Sequence, residues 1–470
     1  MKTLGSKNIF LILMMIVLIS VFIYISFPQK SFKYKDYNIV FVSFDALQAA
    51  HVHNLGYPLE ITPAIDAMAR RGYNFKEGIS VSSWTVPSSM SWFTGVYPSQ
   101  HKVVNKFSTY TNDTKVLSNL KKLSPEIITL AEILKQNGYA TAGFTGDAGV
   151  NGVSGFNQGF DVYFDNTTMF SGLEVSAPKA LDWLKENKDN KFFLFLHGYD
   201  FHGQYVPPEG FDYRYVNFKY TGPYNGSKEQ QAALREERLQ KGYLNLSDDD
   251  VRFWRAIYDE KIDRADKKFA AFLEEFRKLG LMDKTIFVLT SDHGTEFYEH
   301  KGIDHGFTLY DELIHVPMII VLPNQEKGVA IDEQVRSIDL MPTILDLLNI
   351  PMNETIKNQM QGVSLVPLMK GEKLSLDVYP ETDYRLYTFK RAIRTSDGWK
   401  FILTLENKNK EMYDLTNDPG ETKNLIDVNQ TKAYELEQKL LKHLMLLNQS
   451  IYTQWEIGCN PVYPTQCQNT

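Results

Sequence analysis

The fold is decided by the stretch Thr285-Ile-Phe-Val-Leu-Thr-Ser-Asp-His-Gly-Thr-Glu296, in which an apolar run ends directly at polar residues. Residues 285–290 predict a buried strand. Asp292 and His293 follow at once, and Gly294 lets the chain turn. Ligands of open α/β sheets bind at the carboxyl ends of strands, and adjacent Asp and His are natural metal ligands. This stretch predicts a metal site, with a hydrogen-bonded pair at a turn as the alternative.

On both sides of this stretch, apolar runs alternate with amphipathic stretches, which is typical of a sheet covered by helices on both faces. The other predicted strands of this part are 38–44, 139–144, 192–196 and 316–322, and its predicted helices are 62–71, 127–137, 177–188, 248–279 and 337–348. We therefore expect an α/β catalytic domain with a large, mostly parallel sheet in residues 37–370.

The pattern changes near residue 370. The later part predicts short antiparallel strands at 387–395, 398–405 and 411–415 and an amphipathic helix at 433–447. We expect these to form a small α+β lobe in residues 371–450, followed by a tail in residues 451–470. Residues 203–246 are rich in Tyr and Gly and weakly periodic, which predicts an insertion that shapes the substrate entrance.

Three further polar clusters follow predicted strands or begin a helix. Asp45 comes directly after the strand 38–44, where it can serve as an oxygen ligand. Thr85 precedes Pro87, which suits a first helical turn, so its hydroxyl is expected at a helix N-terminus that favours anions. His202 follows the strand 192–196 and can contact an anion, its leaving group or a metal, with Asp200 able to orient it. Taken singly, each has a structural alternative as a turn, cap or loop residue.

The first polar cluster continues past Glu296 with Glu299-His300 and Asp304-His305-Gly306. His305 is a candidate for the same cleft, while the sequence leaves the role of His300 open. The 57 acidic and 50 basic residues give a net charge of −7, which gives no indication of nucleic-acid binding.

The N-terminus predicts a membrane anchor. Residues 9–27 carry no charge and would reach about 28 Å as a helix, enough to cross a bilayer, although a cleaved signal peptide is the alternative. We expect residues 1–36 to be anchor and linker, with the catalytic domain outside the cytoplasm. Two observations agree with export: a Cys459–Cys467 pair able to form a disulfide, and glycosylation sequons at Asn112, Asn166, Asn225, Asn245, Asn353, Asn429 and Asn448.

The motifs in their order resemble the sulfatase family of the alkaline-phosphatase superfamily. They are Asp45, Trp84-Thr-x-Pro-Ser88, Thr94-Gly-x-Tyr-Pro-Ser-x-His101, Asp200-x-His202, Ser291-Asp-His-Gly294, His305-Gly-x-x-Leu-Tyr310, Ile338-Asp-Leu-Met-Pro342 and Glu411-Met-Tyr-Asp414. The resemblance covers residues 37–447. It implies one divalent metal (Ca, Mn, Zn or Mg) held by Asp45, Thr85, Asp292 and His293, with His202 and His305 near the anion and leaving group. A second metal stays open.

The chain departs from the family's pattern at three positions. Thr85 stands where the family has a Cys or Ser that becomes formylglycine, and Thr cannot form that aldehyde. Ser89 replaces an Arg, and Phe44 replaces an acidic ligand. A Thr nucleophile instead resembles the phosphodiesterase and phosphotransferase members of the superfamily.

The sequence therefore predicts a hydrolase of phosphate or sulfate esters, with Thr85 as a nucleophile that forms a covalent intermediate. The ester substrate is expected to be a glycan or a lipid headgroup, while the oligomeric state stays open. Two alternatives remain: a membrane-surface transferase of phosphoethanolamine or phosphoglycerol, and a surface glycoprotein whose site has decayed.

Overall fold

The computed structural model describes residues 34–104, 122–147, 149–165, 170–203, 205, 214–216, 218–384 and 388–447. The predicted anchor at 9–27, both cysteines and the sequons at Asn112, Asn166 and Asn448 lie outside these ranges. Within these ranges, no helix is both long and apolar enough to cross a membrane.

The strands of the described chain form three sheets. In chain order they are β1 (Asn38–Phe44), β2 (Tyr73–Ile79), β3 (Ala140–Thr145), β4 (Val162–Asp165), β5 (Phe192–Gly198), β6 (Thr285–Ser291), β7 (Glu296–Phe297), β8 (Ile303–Asp304), β9 (Met318–Val321), β10 (Val329–Arg336), β11 (Glu381–Tyr384), β12 (Thr388–Arg394), β13 (Trp399–Thr404) and β14 (Lys410–Asp414).

The large sheet has eight strands in the order β10-β2-β9-β6-β1-β5-β3-β4. All neighbouring pairs are parallel except those of β9, which runs antiparallel to both β2 and β6. The prediction of a large, mostly parallel sheet is therefore confirmed. The three central strands β6, β1 and β5 all end at the same edge, which is the edge that carries the predicted site residues.

Helices cover both faces of this sheet and one face of the smaller one. They are α1 (Pro63–Arg71), α2 (Thr85–Thr94), α3 (Pro98–His101), α4 (Leu130–Gln136), α5 (Leu173–Asn187), α6 (Lys228–Lys241), α7 (Asp248–Lys278), α8 (Asp311–Ile314), α9 (Leu340–Leu347), α10 (Glu354–Gln359), α11 (Val366–Met369) and α12 (Gln430–Leu446).

The core lies on both faces of β1, because successive side chains of a strand point to opposite sides. Ile39 and Phe41 pack with α2, α4 and α9, whereas Val40 and Val42 pack with α1, α5 and α7. A strand buried on both faces reads as a continuous apolar run, which is why the sequence revealed it. The long helix α7 begins at a capping box formed by Ser247 and Asp250.

The C-terminal lobe contains the antiparallel sheet β11-β12-β13-β14, with α12 packed on one face. Ile393, Phe401 and Met412 from the strands meet Leu436 and Leu440 from the helix. This confirms the predicted small antiparallel lobe, while the domain boundaries stay a prediction.

The structure contains elements that the sequence interpretation did not predict. The weakly periodic segment 203–246 contains the fourteen-residue helix α6, which Ser227 caps by accepting a hydrogen bond from the N–H of Gln230. Strands β2 and β10, which lie together at one side of the large sheet, were not predicted. Their partly exposed residues include Lys76, Glu77 and Glu333, so neither shows an unbroken apolar run.

Candidate active site

The site begins where three neighbouring strands end. Ser43 at the end of β1 pairs with His197 on β5, and Phe44 pairs with Ser291 on β6. The hydrogen bonding between these strands continues for one residue beyond their ends. The N–H of Asp45 donates to the carbonyl of Gly198, and the N–H of Asp292 donates to the carbonyl of Phe44. Parallel pairing thus brings Asp45 and Asp292 side by side, although they are far apart in sequence.

Thr85 reaches the same point from the adjacent helix. It is the first residue of α2, and Trp84 before it is extended. The Thr85 hydroxyl donates to Asp45 Oδ2 at 3.4 Å and lies 3.3 Å from His293 Nε2. Thr85, Asp45 and His293 are all fully buried. The start of a helix leaves backbone N–H groups unpaired within the helix, which makes this hydroxyl a neighbour of an anion-binding position.

The His293 ring has one nitrogen directed at the cluster and one directed away from it. Its Nδ1 lies 2.6 Å from the carbonyl oxygen of Gly294, and an N–H there must be the donor. In the neutral ring, Nε2 is then the nitrogen with a lone pair, and it lies 3.5 Å from Asp45 Oδ1 and 3.6 Å from Asp292 Oδ2. A histidine whose other ring nitrogen is fixed by a carbonyl has the arrangement found in metal-ligating histidines.

Asp292 supplies the clearest test of whether these residues fit a cation. Its Oδ1 accepts the N–H groups of Ala46 at 3.0 Å and His293 at 2.8 Å. Its Oδ2 is fully buried and has no hydrogen-bond partner within the described residues. Burial raises the pKa of Asp292, while the nearby His293 acts in the opposite direction. A buried carboxylate oxygen facing another carboxylate, a hydroxyl and an imidazole is a donor set that suits a divalent ion.

Two further histidines lie beside this cluster. The ring of His305 is 4.3 Å from that of His293, and the ring of His202 is 4.7 Å from that of His305. Tyr199 stacks on His202 with ring centres 4.2 Å apart. Burial and the negative charges of Asp45 and Asp304 raise the pKa of Tyr199 well above its ordinary value. The Tyr199 hydroxyl therefore stays protonated. The structure thus brings all six predicted site residues together, and their roles stay predictions.

Two other residues from the predicted clusters lie elsewhere. The Asp200 carboxylate accepts the N–H of Leu173 at 2.7 Å and pairs with Lys268 at 2.8 Å, so its observed contacts fix the start of α5. His300 pairs with Glu312 at 2.7 Å and stacks on Tyr310. Although burial lowers the pKa of His300, the contact with Glu312 prevails and raises it to about 9. Its described contacts are those of a structural ion pair.

The structure also adds residues that the sequence interpretation left without a role. His197 lies close enough to Asp45 and Asp292 for the three to offer ligand atoms within 4.8 Å of one another. The sequence feature that could have indicated a role for His197 is its position directly after the apolar strand 192–196. Lys261 on α7 donates to the carbonyl oxygens of His202 and Gly203, and burial lowers its pKa to about 7. Nothing in the helical pattern of 248–279 marked Lys261.

The departures from the family's pattern have physical consequences here. Phe44 makes edge-to-face contacts with Phe201 and Phe269, at 4.8 and 5.5 Å, so apolar packing replaces the second acidic ligand. Ser89, one turn after Thr85 on α2, is fully buried, and its hydroxyl has no hydrogen-bond partner in the described part of the chain.

Comparison with known proteins shows which family the chain resembles over most of its length. The sequence profile described as "Sulfatase" matches residues 37–350, and one described as "N-sulphoglucosamine sulphohydrolase, C-terminal" matches residues 298–450. Arylsulfatase K of Homo sapiens is 23% identical over 457 residues, which covers 86% of this chain and 81% of that protein.

Solved structures share the fold. A 2-O GAG sulfatase superposes with a TM-score of 0.70 at 20% identity, covering 89% of this chain and 94% of the other. The phosphonate monoester hydrolase of Agrobacterium radiobacter superposes with a TM-score of 0.67 at 17% identity, covering 89% and 96%. With the first profile matching well over half of its length, this chain belongs to the sulfatase family of the alkaline-phosphatase superfamily and is a hydrolase of sulfuric or phosphoric esters.

Proposed function

We propose that this enzyme hydrolyses phosphate esters, phosphodiesters first among them, with the hydroxyl of Thr85 as the nucleophile. The observation that carries the proposal is the position of that hydroxyl. It stands at the start of α2, 3.3 Å from His293 and 3.4 Å from Asp45, in a fully buried cluster. No formylglycine can form from Thr, so the nucleophile has to be the unmodified hydroxyl or a water.

One divalent ion would be held by Asp45, Thr85, Asp292 and His293. The buried Asp292 Oδ2 is the atom that favours this assignment. When bound, such an ion favours the ionised form of a hydroxyl and offsets negative charge on the ester group. His197 is close enough to Asp45 and Asp292 to be an additional ligand. Which of Ca, Mn, Zn or Mg is used, and whether a second ion binds, is part of the same proposal.

The chain's own groups account for the proposed steps. Thr85 Oγ1, ionised after its proton has passed to solvent, attacks phosphorus, the bond from phosphorus to the leaving oxygen breaks, and a phosphoryl group becomes attached to Thr85. The leaving oxygen takes a proton from His202 or His305. Water then attacks the same phosphorus, gives a proton back to that histidine, and releases Thr85. The backbone N–H groups of Thr85 and Val86 at the start of α2 would stabilise the added negative charge.

Phosphate is favoured over sulfate because of Thr85. A metal-activated threonine resembles the phosphodiesterase members of the superfamily, and a phosphonate monoester hydrolase shares this chain's fold, as sulfatases also do. The similarity to arylsulfatase K keeps sulfate esters as a substrate class to be tested. The retained Asp45, Thr85, Asp292 and His293 argue against a decayed site.

We also propose an extracytoplasmic location. It is supported by the uncharged residues 9–27 and by the sequons, of which Asn225, Asn245, Asn353 and Asn429 belong to the described chain. A catalytic domain held at the outer membrane surface would meet glycans and lipid headgroups, which are the ester substrates expected for it.

The test is a hydrolysis screen of the purified chain with 4-nitrophenyl phosphate, bis(4-nitrophenyl) phosphate, 4-nitrophenyl phenylphosphonate and 4-nitrophenyl sulfate. Each is measured with added Mn²⁺, Zn²⁺, Ca²⁺ or Mg²⁺ and after chelation. We expect metal-dependent turnover of the diester or phosphonate above that of the sulfate. Turnover of the sulfate alone would contradict the phosphate assignment. A faster rate with added ethanolamine or glycerol, and a phosphorylated alcohol as product, would indicate transfer instead of hydrolysis.

A further inference from the structure

Asp304 links one of the histidines at the site to an arginine from the inserted helix. Its Oδ1 lies 2.6 Å from His305 Nδ1 and accepts the backbone N–H of His305 at 3.1 Å. Its Oδ2 accepts hydrogen bonds from both Nε and Nη2 of Arg235. The Asp304 side chain is 1% exposed. Both carboxylate oxygens are therefore engaged, one by the ring and one by the guanidinium.

The backbone at Asp304 is held in a conformation that most residues avoid. Its φ is +90°, and the next glycine, Gly306, has a φ of +91°. The short pairing of β7 with β8 fixes this turn, because Asp304 pairs with Glu296 and the Glu296 carboxylate accepts the N–H of Gly302 at 2.7 Å. Strained backbone of this kind persists where the surrounding structure imposes it and concentrates at functional sites.

The charge on Asp304 decides which nitrogen of His305 carries a proton. Burial tends to raise the pKa of Asp304, but Arg235 and the rings of His305 and His202 hold it well below its ordinary value. An ionised carboxylate can only accept hydrogen bonds, so the 2.6 Å contact requires a proton on His305 Nδ1. Nε2 is then the nitrogen that exchanges a proton with a ligand.

We propose that Asp304 and Arg235 are positioning residues that hold His305 in the tautomer and orientation of a proton donor to the leaving oxygen. Asp304 fixes the tautomer and orientation of the His305 ring, and Arg235 fixes Asp304. The inference rests on the proposed function, since it assigns the leaving-group proton within that reaction. The ring of His202 is stacked on Tyr199, 4.2 Å away.

A competing interpretation of the same residues is that they bind a metal ion. His202, Asp304 and His305 offer ligand atoms within 4.8 Å of one another and could hold an ion. The hydrogen-bonded arrangement is favoured because the guanidinium of Arg235 already occupies one oxygen of Asp304, and a cation beside it would be repelled. An ion bound by Asp304 is therefore an outcome that would overturn the proposal.

Kinetics provide the first part of the test, using aryl methyl phosphates whose phenols range from 4-nitrophenol to unsubstituted phenol. Asn tolerates positive φ, so Asp304→Asn is expected to fold. It should lower kcat about 10²-fold or more for phenol, less than about tenfold for 4-nitrophenol, and leave KM nearly unchanged, because only a poor leaving group needs the proton. Arg235→Gln should give the same pattern more weakly, and Arg235→Lys should restore most of the rate for phenol.

Asp259→Asn is the matched control. Asp259 is a buried carboxylate that also contacts a histidine Nδ1, that of His51 at 2.9 Å, outside the site. Its variant should affect all leaving groups equally or not at all. An equal loss for all leaving groups in Asp304→Asn, or wild-type rates for all of them, would overturn the proposal.

A readout independent of turnover separates this inference from the proposed function. In protein labelled with ¹⁵N-histidine, the His305 resonances, assigned by their loss in His305→Gln, should show a protonated Nδ1 that Asp304→Asn removes or mixes with the other tautomer. A wild-type ring protonated at Nε2 alone would contradict the proposal even if esters are hydrolysed. Metal content per chain should be the same in wild type and Asp304→Asn; loss of one ion in the variant would make Asp304 a ligand instead.

Discussion

The Thr85 hydroxyl lies 3.3 Å from Nε2 of His293, although the two residues are 208 positions apart in sequence. The contact exists because α2 begins beside the edge at which β6 ends, and neither element alone contains a site. His293 Nε2 lies within 3.6 Å of the Thr85 hydroxyl and of both carboxylates, so a hydroxyl, an imidazole and two carboxylates form a compact, fully buried polar cluster. Such a cluster is costly to bury without a counter-ion or a function that requires it.

The first prediction concerns the nucleophile. Thr85→Ala should abolish turnover of the best phosphodiester while the protein stays folded, because it removes the attacking oxygen rather than much core volume. Thr85→Ser should retain measurable activity, since the hydroxyl remains. The control is Thr94→Ala on the same helix, which removes a buried hydroxyl that donates to Met90 at 2.9 Å. Wild-type rates in Thr85→Ala would show that the attacking group is a water.

The second prediction concerns metal binding and is read from thermal unfolding. An ion that binds only the folded state should raise the Tm of the wild type, by an amount that grows with its concentration. Asp292→Asn should lose that rise. After chelation, however, the variant should be at least as stable as the wild type, because burial raises the pKa of Asp292 and its Oδ2 has no hydrogen-bond partner in the described structure. Equal stabilisation of both proteins by the ion would contradict the assignment of Asp292 as a ligand.

The third prediction concerns acid stability and His101. Its Nδ1 accepts the N–H of Val103 at 3.1 Å, and Nε2 lies 3.1 Å from the carbonyl of Pro87, so the folded state holds a neutral ring. Burial lowers the pKa of His101 from its ordinary value of 6.5 to about 3. Below pH 6.5 the unfolded chain takes up a proton that the folded chain does not, so stability is lost as pH falls from 6.5 towards 3.

The loss due to His101 should be about 1.4 kcal/mol per pH unit in that window, or roughly 2 kcal/mol at pH 5. Urea unfolding at pH 7 and pH 5 should show a smaller difference for His101→Gln than for the wild type. Part of the difference should remain, because burial also lowers the pKa of His443, to about 4. An identical pH dependence in both proteins would refute this role of His101.

The fourth prediction concerns the contact between the C-terminal lobe and the large domain. Lys400 on β13 is fully buried and pairs with Asp311 and Glu421, each at 2.9 Å. Lys400→Met should lower the free energy of unfolding by about 3–5 kcal/mol, because it leaves the buried Glu421 carboxylate without its cation, whereas Asp311 keeps its pair with Arg394 at 2.9 Å. Lys185→Met removes an exposed pair on α5 and should leave the free energy of unfolding nearly unchanged. Similar small losses in both variants, measured by urea unfolding, would contradict the argument.

The predicted elements correspond closely to the observed ones wherever the local pattern was strong. The apolar run 38–44 is β1, and the stretch 248–279 is α7 with Ser247 as its cap. The helix in 203–246 escaped prediction because α6 is polar on most of its surface and few of its residues are buried. Strands β2 and β10 escaped because their exposed charged residues interrupt the apolar pattern.

The sequence by itself determined the alternation of strands and helices and placed Asp45, Asp292 and His293 at strand ends, since these features depend on neighbours within a few positions. The tertiary structure alone decided that β1, β5 and β6 are adjacent, which brings His197 beside Asp45 and Asp292. It also decided that Arg235 meets Asp304 and that Asp200 turns to Lys268. The physical reason is that a side chain's partners across a sheet depend on strand order and register, which no local periodicity encodes.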